Sequence, residues 1–266
     1  MKIIVCVKQV PDTSGKVAVN PDGTLNRASM ATITNPDDLN AVEAALVLKE
    51  QTGAEVVVVC MGPPPAEGML REIIARGADR AVLVSGREFG GSDTYATSQI
   101  LAAAINKIGV DAEDIVMCGR QAIDGDTAQV GPQIAEKLGL PQISYAADIQ
   151  LDGNVVTVKR MLEDGYMTVK TQTPCLITCI KELNEPRYMS VYGIFDCYSK
   201  PYEVLDYNAL KDDPLIDPAT IGLAGSPTNI LTSFTPPQKG AGMMLEGADK
   251  ATCDQLAGIM AAKHMI

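Results

Sequence analysis

The sequence predicts an α/β fold: an open, mostly parallel, twisted sheet with antiparallel hairpins at its edge and a C-terminal arm. In the first half of the chain, short apolar segments typical of buried strands alternate with segments of helical periodicity. Strands and helices that alternate in this way form right-handed β-α-β crossovers, which give a parallel sheet. In the second half, turn pairs join strand-like segments, and further on the periodicity is lost.

The strands of the first half are expected where the chain is apolar on both faces, because helices cover both sides of a parallel sheet. Such segments occur at residues 2–8, 55–60, 79–84 and 114–118. A small hairpin is expected at residues 16–27, where Pro21, Asp22 and Gly23 supply the turn.

The first helix has clear end signals. Asn35 is a favourable N-cap, Pro36 a favourable first residue, and the charges of Asp37 and Asp38 suit the helix dipole. Its apolar residues recur at three-to-four spacing until Gly53, where it is expected to end. Further helices are predicted at residues 66–76, from Ser92 or Asp93 to Gly109, and at residues 133–138.

The sheet is expected to end in antiparallel hairpins. Strand-like segments at residues 142–150, 154–161 and 166–181 are separated by two Asp-Gly pairs, at residues 152–153 and 164–165. Pairs of this type favour tight turns between antiparallel strands.

The chain is predicted to divide at residue 200. Residues 1–200 form the α/β domain, and residues 201–266 form an extended arm with a short helix at about 248–263. The arm includes a segment rich in proline and glycine at 212–242, but its apolar content is too high for a solvated tail. It is therefore expected to wrap a partner chain.

Composition excludes several function classes. The chain has 266 residues with a formal net charge of −11, which opposes nonspecific binding to nucleic acid or anionic membranes. No signal peptide or membrane-spanning segment is recognised, so a cytoplasmic location is expected. The seven cysteines form no C-x-x-C pair, and Cys175 and Cys179 are expected to be core thiols rather than metal ligands.

The segment at residues 119–132 (GRQAIDGDTAQVGP) is the strongest candidate for a ligand site. It joins a predicted strand to a predicted helix, and glycine-bearing turns at this position bind phosphorylated ligands in α/β proteins. The common phosphate motifs are missing, and Asp124 and Asp126 would repel a phosphate unless they face away, cap the helix or bind a ribose. The alternative is an ordinary capped helix start.

Other loops are expected to meet this segment, because ligands in open parallel sheets lie beyond the carboxyl ends of the strands. These loops begin at Lys8 and at Met61, and the helix start at residues 35–38 reaches the same edge. The backbone of Met61 and Gly62 could face an adenine. Alternatively, the prolines at 63–65 only end a strand.

Side-chain catalysis is not expected. The single histidine is His264, so a Ser-His-Asp or Cys-His arrangement is improbable, and no cluster has metal-ligand spacing. Any chemistry would belong to a bound cofactor.

Several motifs in a fixed order make the sequence similar to a known family. They are residues 5–11 (VCVKQVP), Asn35-Pro36, residues 119–129, residues 158–160 (VKR) with 163–165 (EDG) and Pro174, and residues 183–188 (LNEPRY). Together they resemble the β (small) subunit of electron transfer flavoproteins over nearly the whole chain. Met167 departs from the family pattern, which usually has an acidic or amide residue there.

The resemblance implies an adenine-nucleotide α-hydrolase-like fold and a heterodimer with a larger α subunit that carries FAD. It also implies a nucleotide site lined by the end of the first strand, the start of the first helix, the strand end at Met61 and the 119–130 loop. Carried onto this sequence, the cofactor-binding residues are Cys6, Asn35, Pro36, Asp37, Asp38, Met61, Gly119, Arg120, Gln121, Ala122, Ile123, Asp124, Gly125, Asp126, Thr127, Ala128, Gln129 and Val130.

A second implied site would recognise a partner of the acyl-CoA dehydrogenase type. Its residues are Asn184, Glu185, Pro186, Arg187, Tyr188 and Val191, with Val191 at the position of the family's apolar anchor. This would explain the aromatic residues between positions 184 and 202.

The ligand of the nucleotide site stays open between two family types. Ordinary members hold a structural AMP, whereas electron-bifurcating members hold a second FAD that accepts electrons from NADH and divides them between a dehydrogenase and ferredoxin or flavodoxin. Residues 8–13 and 124–132 look like the bifurcating type, and Gly125, Thr127 and Ala128 are small enough to leave room for a pyrophosphate. FAD is therefore favoured over AMP. Two other classes remain: a stand-alone adenine-nucleotide-binding or ATP-hydrolysing domain, and a scaffold subunit whose nucleotide is structural.

Overall fold

Apolar strands and amphipathic helices alternate in the computed structural model, which describes residues 1–12, 31–228, 231 and 240–266. The strands are β1 (Lys2–Cys6), β2 (Gln9–Pro11), β3 (Thr32–Thr34), β4 (Glu55–Met61), β5 (Arg80–Val84), β6 (Ile115–Gly119), β7 (Gln142–Asp152), β8 (Val155–Met161), β9 (Tyr166–Gln172), β10 (Cys175–Cys179) and β11 (Tyr202–Leu205). The helices are α1 (Pro36–Thr52), α2 (Glu67–Arg76), α3 (Thr94–Ile108), α4 (Val130–Leu138), α5 (Val191–Asp196), α6 (Tyr207–Leu210), α7 (Gly222–Gly225) and α8 (Lys250–Ala262).

Nine of these strands form one sheet in the order β11-β5-β4-β1-β6-β10-β7-β8-β9. The strands from β11 to β7 are parallel, and β8 and β9 extend the sheet as an antiparallel meander. The strands β2 and β3 pair separately and antiparallel. The predicted fold class is confirmed, whereas the hairpin predicted at residues 16–27 lies outside the described residues.

Helix boundaries follow the predicted end signals closely. α1 begins at Pro36 and ends at Gly53, whose left-handed conformation (φ 72°) lets its N–H bond to the carbonyl of Lys49. α3 is capped by Asp93, which accepts a hydrogen bond from the backbone N–H of Ala96 at 3.0 Å.

The core lies on both faces of the sheet because successive strand residues point to opposite sides. Ile3 and Val5 of β1 pack with α1 and α2, while Ile4 and Cys6 pack on the other face with α3 and α4. Cys175 and Cys179 are buried, as predicted for core thiols.

The strand predicted at residues 166–181 is two strands, so this part of the edge-hairpin prediction is wrong. Pro174, which lacks a backbone donor, stands between β9 and β10. All five residues of β10 are buried, and the strand lies inside the sheet, parallel to both β6 and β7. A strand buried on both faces cannot form an exposed edge hairpin.

The predicted domain boundary at residue 200 is also wrong. β11 pairs in parallel with β5 and extends the sheet. Leu205, Leu210, Ile216 and Ile221 are then buried against the second face, with Phe89 among their neighbours. The α/β unit therefore continues past residue 220, because this segment closes one side of its core.

The last described segment, residues 240–266, contains α8, and none of the residues of this helix is buried. Across the parts of the chain that the structure describes, no helix has the length and apolar character needed to cross a membrane.

Candidate nucleotide site

Strand order places the candidate site beside β1. From β1 the chain passes to β4 and β5 on one side and then crosses to β6 on the other side, while β11 joins β5 only later in the chain. The direction of winding changes between β1 and β6, and ligands of open α/β sheets bind beyond the strand ends at such a point. Cys6 and Cys118 are register partners there, so the loops after both strands leave the sheet together.

The carboxylate of Asp38 joins the two strand ends. It accepts hydrogen bonds from the backbone N–H of Lys8 at 2.8 Å and of Gly119 at 3.1 Å. The side chain is buried, and desolvation raises the pKa of Asp38 to about 7, although these donors oppose the shift. The first turn of α1 is thereby fixed to the ends of β1 and β6.

Asn35 occupies the N-cap position of α1, as predicted, but its side chain makes no capping hydrogen bond to the helix. The Asn35 amide instead donates to the carbonyl of Gln121 at 2.8 Å and accepts from the backbone N–H of Ile123 at 3.1 Å. Because Asn35 is fully buried, the loop supplies the partners that its amide needs. Asn35 therefore ties the helix start to the 119–130 loop.

Asp37 and Arg120 form a second contact between these elements. Asp37 Oδ2 lies 3.3 Å from Arg120 Nε, which is close enough for an ion pair. Both atoms are buried, yet neither makes a well-directed hydrogen bond within the described chain. Burial raises the pKa of Asp37, and the charge of Arg120 opposes that shift. Buried polar atoms of this kind leave hydrogen-bonding capacity for a ligand.

The two aspartates that would repel a phosphate both have partners. Lys8 Nζ lies 2.8 Å from each carboxylate oxygen of Asp124, and Gln121 Nε2 donates to Asp126 Oδ1 at 2.6 Å. Lys8 therefore places a cation next to a loop that has no lysine of its own.

The loop reaches α4 through unusual backbone geometry. Asp126 and Ala128 adopt left-handed conformations with φ of 51° and 52°, which non-glycine residues rarely do. α4 begins at Val130, three residues earlier than the helix predicted at 133–138, and within the described chain no side chain caps it. The N–H groups of its first turn can therefore bind an anion.

The glycines of the segment have different surroundings. A Cβ on Gly119 would lie 2.3 Å from Asp38 Oδ1, and one on Gly131 would lie 2.8 Å from Thr178 Cγ2. These two glycines let helices pack closely against strand ends. A Cβ on Gly125 would meet no atom of the described chain within 4 Å, so there the surface is open.

Cys6 and Met61 complete the set that the resemblance implies. Cys6 is buried, and a hydrogen bond with its thiol, together with desolvation, raises the pKa of Cys118. The side chain of Cys6 is thus part of the core, and its backbone forms the end of β1. Met61 is the half-buried last residue of β4, and the prolines after it form a short 3-10 turn, Pro64–Ala66.

The predicted docking residues separate into two groups. Asn184 and Arg187 bond to α1 through Asn40, Glu43 and Glu50, so their side chains face the protein. Tyr188 and Val191 face solvent, with 92% and 74% of their surface exposed. Glu185 is exposed, and Pro186 is half-buried.

Sequence reasoning did not assign a role to several residues that the structure brings to these sites. The motifs that include Lys8 assign no role to its side chain. No local pattern indicates Asn40 and Glu43, because their partners lie 144 positions away. Tyr192 and Phe195 extend the exposed surface of α5, and their lack of core periodicity was the available signal.

Comparisons with known proteins agree on one family. The electron transfer flavoprotein domain matches residues 22–204. The acryloyl-CoA reductase electron transfer subunit gamma of Anaerotignum propionicum is 67% identical over 267 residues, covering 100% of each chain. A subunit of the caffeyl-CoA reductase-Etf complex of Acetobacterium woodii is 50% identical over 99% of this chain and 97% of its own. The electron transfer flavoprotein subunit beta of Clostridium acetobutylicum is 49% identical over 100% of both chains.

Proposed function

Because this chain belongs to the electron transfer flavoprotein family as a β-type subunit, we propose that its site beside β1 binds FAD and that the protein bifurcates electrons. The electrons come from NADH and pass to an acyl-CoA dehydrogenase-type flavoenzyme and to a low-potential acceptor, ferredoxin or flavodoxin. The observation that carries the proposal is the convergence of α1, the end of β1 and the 119–130 loop at the point where strand order reverses.

The residues of the site fit a dinucleotide. The uncapped first turn of α4, together with Lys8 and Arg120, can bind phosphate groups through N–H donors and positive charge. The unsatisfied Asp37 Oδ2 and the exposed Asp126 can accept hydrogen bonds from ribose hydroxyls. Open space at Gly125 supports a ligand with two phosphates rather than one.

The chain itself supplies binding and orientation. When bound, FAD would supply the hydride acceptance and single-electron transfer. The rigid contacts of Asn35 and Asp38 fix the loop before the cofactor arrives, which lowers the ordering cost of binding.

The names of the relatives support the reductase context. One is an electron transfer subunit of acryloyl-CoA reductase, and another belongs to a caffeyl-CoA reductase-Etf complex. We infer that this chain likewise works with a larger α subunit and with a flavoenzyme acting on a CoA thioester. The exposed apolar residues of the C-terminal segment, such as Met243, Met244 and Ile266, favour burial against that α subunit.

Flavin and nucleotide content of the purified heterodimer test the proposal. We expect two FAD per heterodimer, with NADH reducing both. One FAD together with one AMP would contradict bifurcation and favour the ordinary family type. ATP hydrolysis by the isolated chain would instead favour the stand-alone adenine-nucleotide domain.

A further inference from the structure

One buried carboxylate has no part in the nucleotide site. Glu43, on the second turn of α1, is 7% exposed, and its carboxylate is bonded by Arg187 from the segment before α5. Arg187 Nε lies 3.1 Å from Oε1 and 2.9 Å from Oε2, Nη2 lies 2.9 Å from Oε1, and the Arg187 backbone N–H lies 3.0 Å from Oε2. Bidentate geometry of this kind fixes direction as well as distance.

A second contact fixes the same segment one turn earlier. Asn40 Nδ2 donates to the carbonyl of Asn184 at 2.8 Å and to its Oδ1 at 3.0 Å, while Asn184 Nδ2 donates back to the carbonyl of Asn40 at 3.0 Å. The amide of Asn40 is buried and depends on Asn184 for these bonds. Arg76 of α2 adds a hydrogen bond to the carbonyl of Arg187.

These contacts determine where α5 begins. Residues 184–187 are bonded to α1, and α5 then lies on α2, where a Cβ on Gly193 would be 2.2 Å from the carbonyl oxygen of Ala75. The opposite side of α5 exposes Val191, Tyr192 and Phe195. Since this helix has only six residues, it has little stability of its own and depends on its attachments.

We propose that Glu43 and Asn40 are positioning residues for partner docking: they hold residues 184–187 on α1 so that α5 presents its apolar side to the electron-accepting flavoenzyme. This rests on the proposed function with a flavoenzyme partner and on the docking role that the resemblance implies for residues 184–188 and Val191. The same helix carries Asp38 and Asn35 in its first turn, so one rigid element sets the placement of both the nucleotide site and the docking surface.

The test uses the heterodimer carrying Glu43→Gln, which keeps the shape of the side chain but turns an amide N–H₂ towards the guanidinium. We expect the rate of backbone amide hydrogen exchange in residues 188–198 to rise about tenfold or more, because a charged hydrogen bond is lost. We also expect KM for an acyl-CoA dehydrogenase that oxidises the reduced heterodimer to rise severalfold while kcat and flavin content stay unchanged.

The matched control is Glu50→Gln, because Glu50 bonds Arg187 from an exposed position, where ion pairs contribute little. It should leave exchange and KM near wild-type values. Unchanged exchange and KM in Glu43→Gln would overturn the proposal, and so would loss of flavin or of the α subunit, which would mark Glu43 as a general stability residue.

Val191→Asp separates this inference from the proposed function. If Val191→Asp leaves KM for the dehydrogenase unchanged, α5 is not the docking surface. The docking role and the positioning role of Glu43 and Asn40 then both fail. If Val191→Asp raises KM but Glu43→Gln does not, docking stands and only the positioning role fails.

Discussion

Lys8 Nζ lies 2.8 Å from both carboxylate oxygens of Asp124, so the end of β1 and the 119–130 loop are joined by an ion pair across the candidate site. The pair places a second cation against the loop, in addition to Arg120 within it.

Lys8→Met is expected to weaken FAD binding to the nucleotide-depleted heterodimer by about tenfold, as for loss of a charged hydrogen bond. Asp124→Asn frees Lys8 for phosphate and should bind FAD at least as tightly as wild type. Calorimetric titration with FAD measures both. Equal weakening in the two variants would mean that the ion pair only supports the loop.

Gly119→Ala is expected to destabilise the fold by about 1–3 kcal/mol, the usual cost of overpacking. The added Cβ would lie 2.3 Å from Asp38 Oδ1 and 2.6 Å from the Asp37 carbonyl carbon, and neither can move without shifting α1. Gly125→Ala is the control, because its Cβ meets nothing within 4 Å in the described chain. Urea unfolding of the two variants gives the comparison, and similar midpoints would refute the packing role.

Asp38 should make stability depend on pH. Its pKa in the fold is raised from 3.8 to about 7, so its contribution to stability is fully present below pH 4 and is lost as pH rises through 7. The slope is at most about 1.4 kcal/mol per pH unit. Asp38→Asn removes this titration. As the pH rises from 4 to 7, the unfolding free energy of the wild type should therefore fall relative to that of the variant. A difference that stays constant over that range would contradict the shifted pKa.

Removal of residues 240–266 should leave the α/β unit folded but abolish α-subunit binding. Within the described chain, α8 and the residues before it are not buried, whereas Ser226 is buried and Thr228 bonds to Asp93. The cut therefore spares the core, unlike one made before residue 226. Circular dichroism and copurification with the α subunit check the two parts, and retained association would refute the wrapping role.

Val191→Asp should raise KM for the dehydrogenase by about tenfold or more, as expected for a central apolar contact. Val191 is 74% exposed on α5, so the change should not affect the fold. Val47→Asp, at an exposed position of α1, is the control. Stopped-flow electron transfer compares them, and equal rates at all dehydrogenase concentrations would argue against an anchor role.

Local sequence signals predict the parallel sheet, the ends of α1 and α3, and the position of the candidate loop. Alternating periodicity, Gly53 and Asp93 act within a few residues, and local signals of this range can be read along the chain.

Contacts between groups far apart in the sequence depend on the three-dimensional fold. The amide of Asn35 bonds to Gln121, 86 positions away, in place of its own helix start, and β10 lies between β6 and β7 instead of at the edge. Likewise β11 and the residues after it close the core, although their sequence resembles an arm. The positions of β10 and β11 depend on strand order, and the contacts of Asn35 arise because buried polar groups need hydrogen-bond partners. Neither can be inferred from a single segment of the sequence.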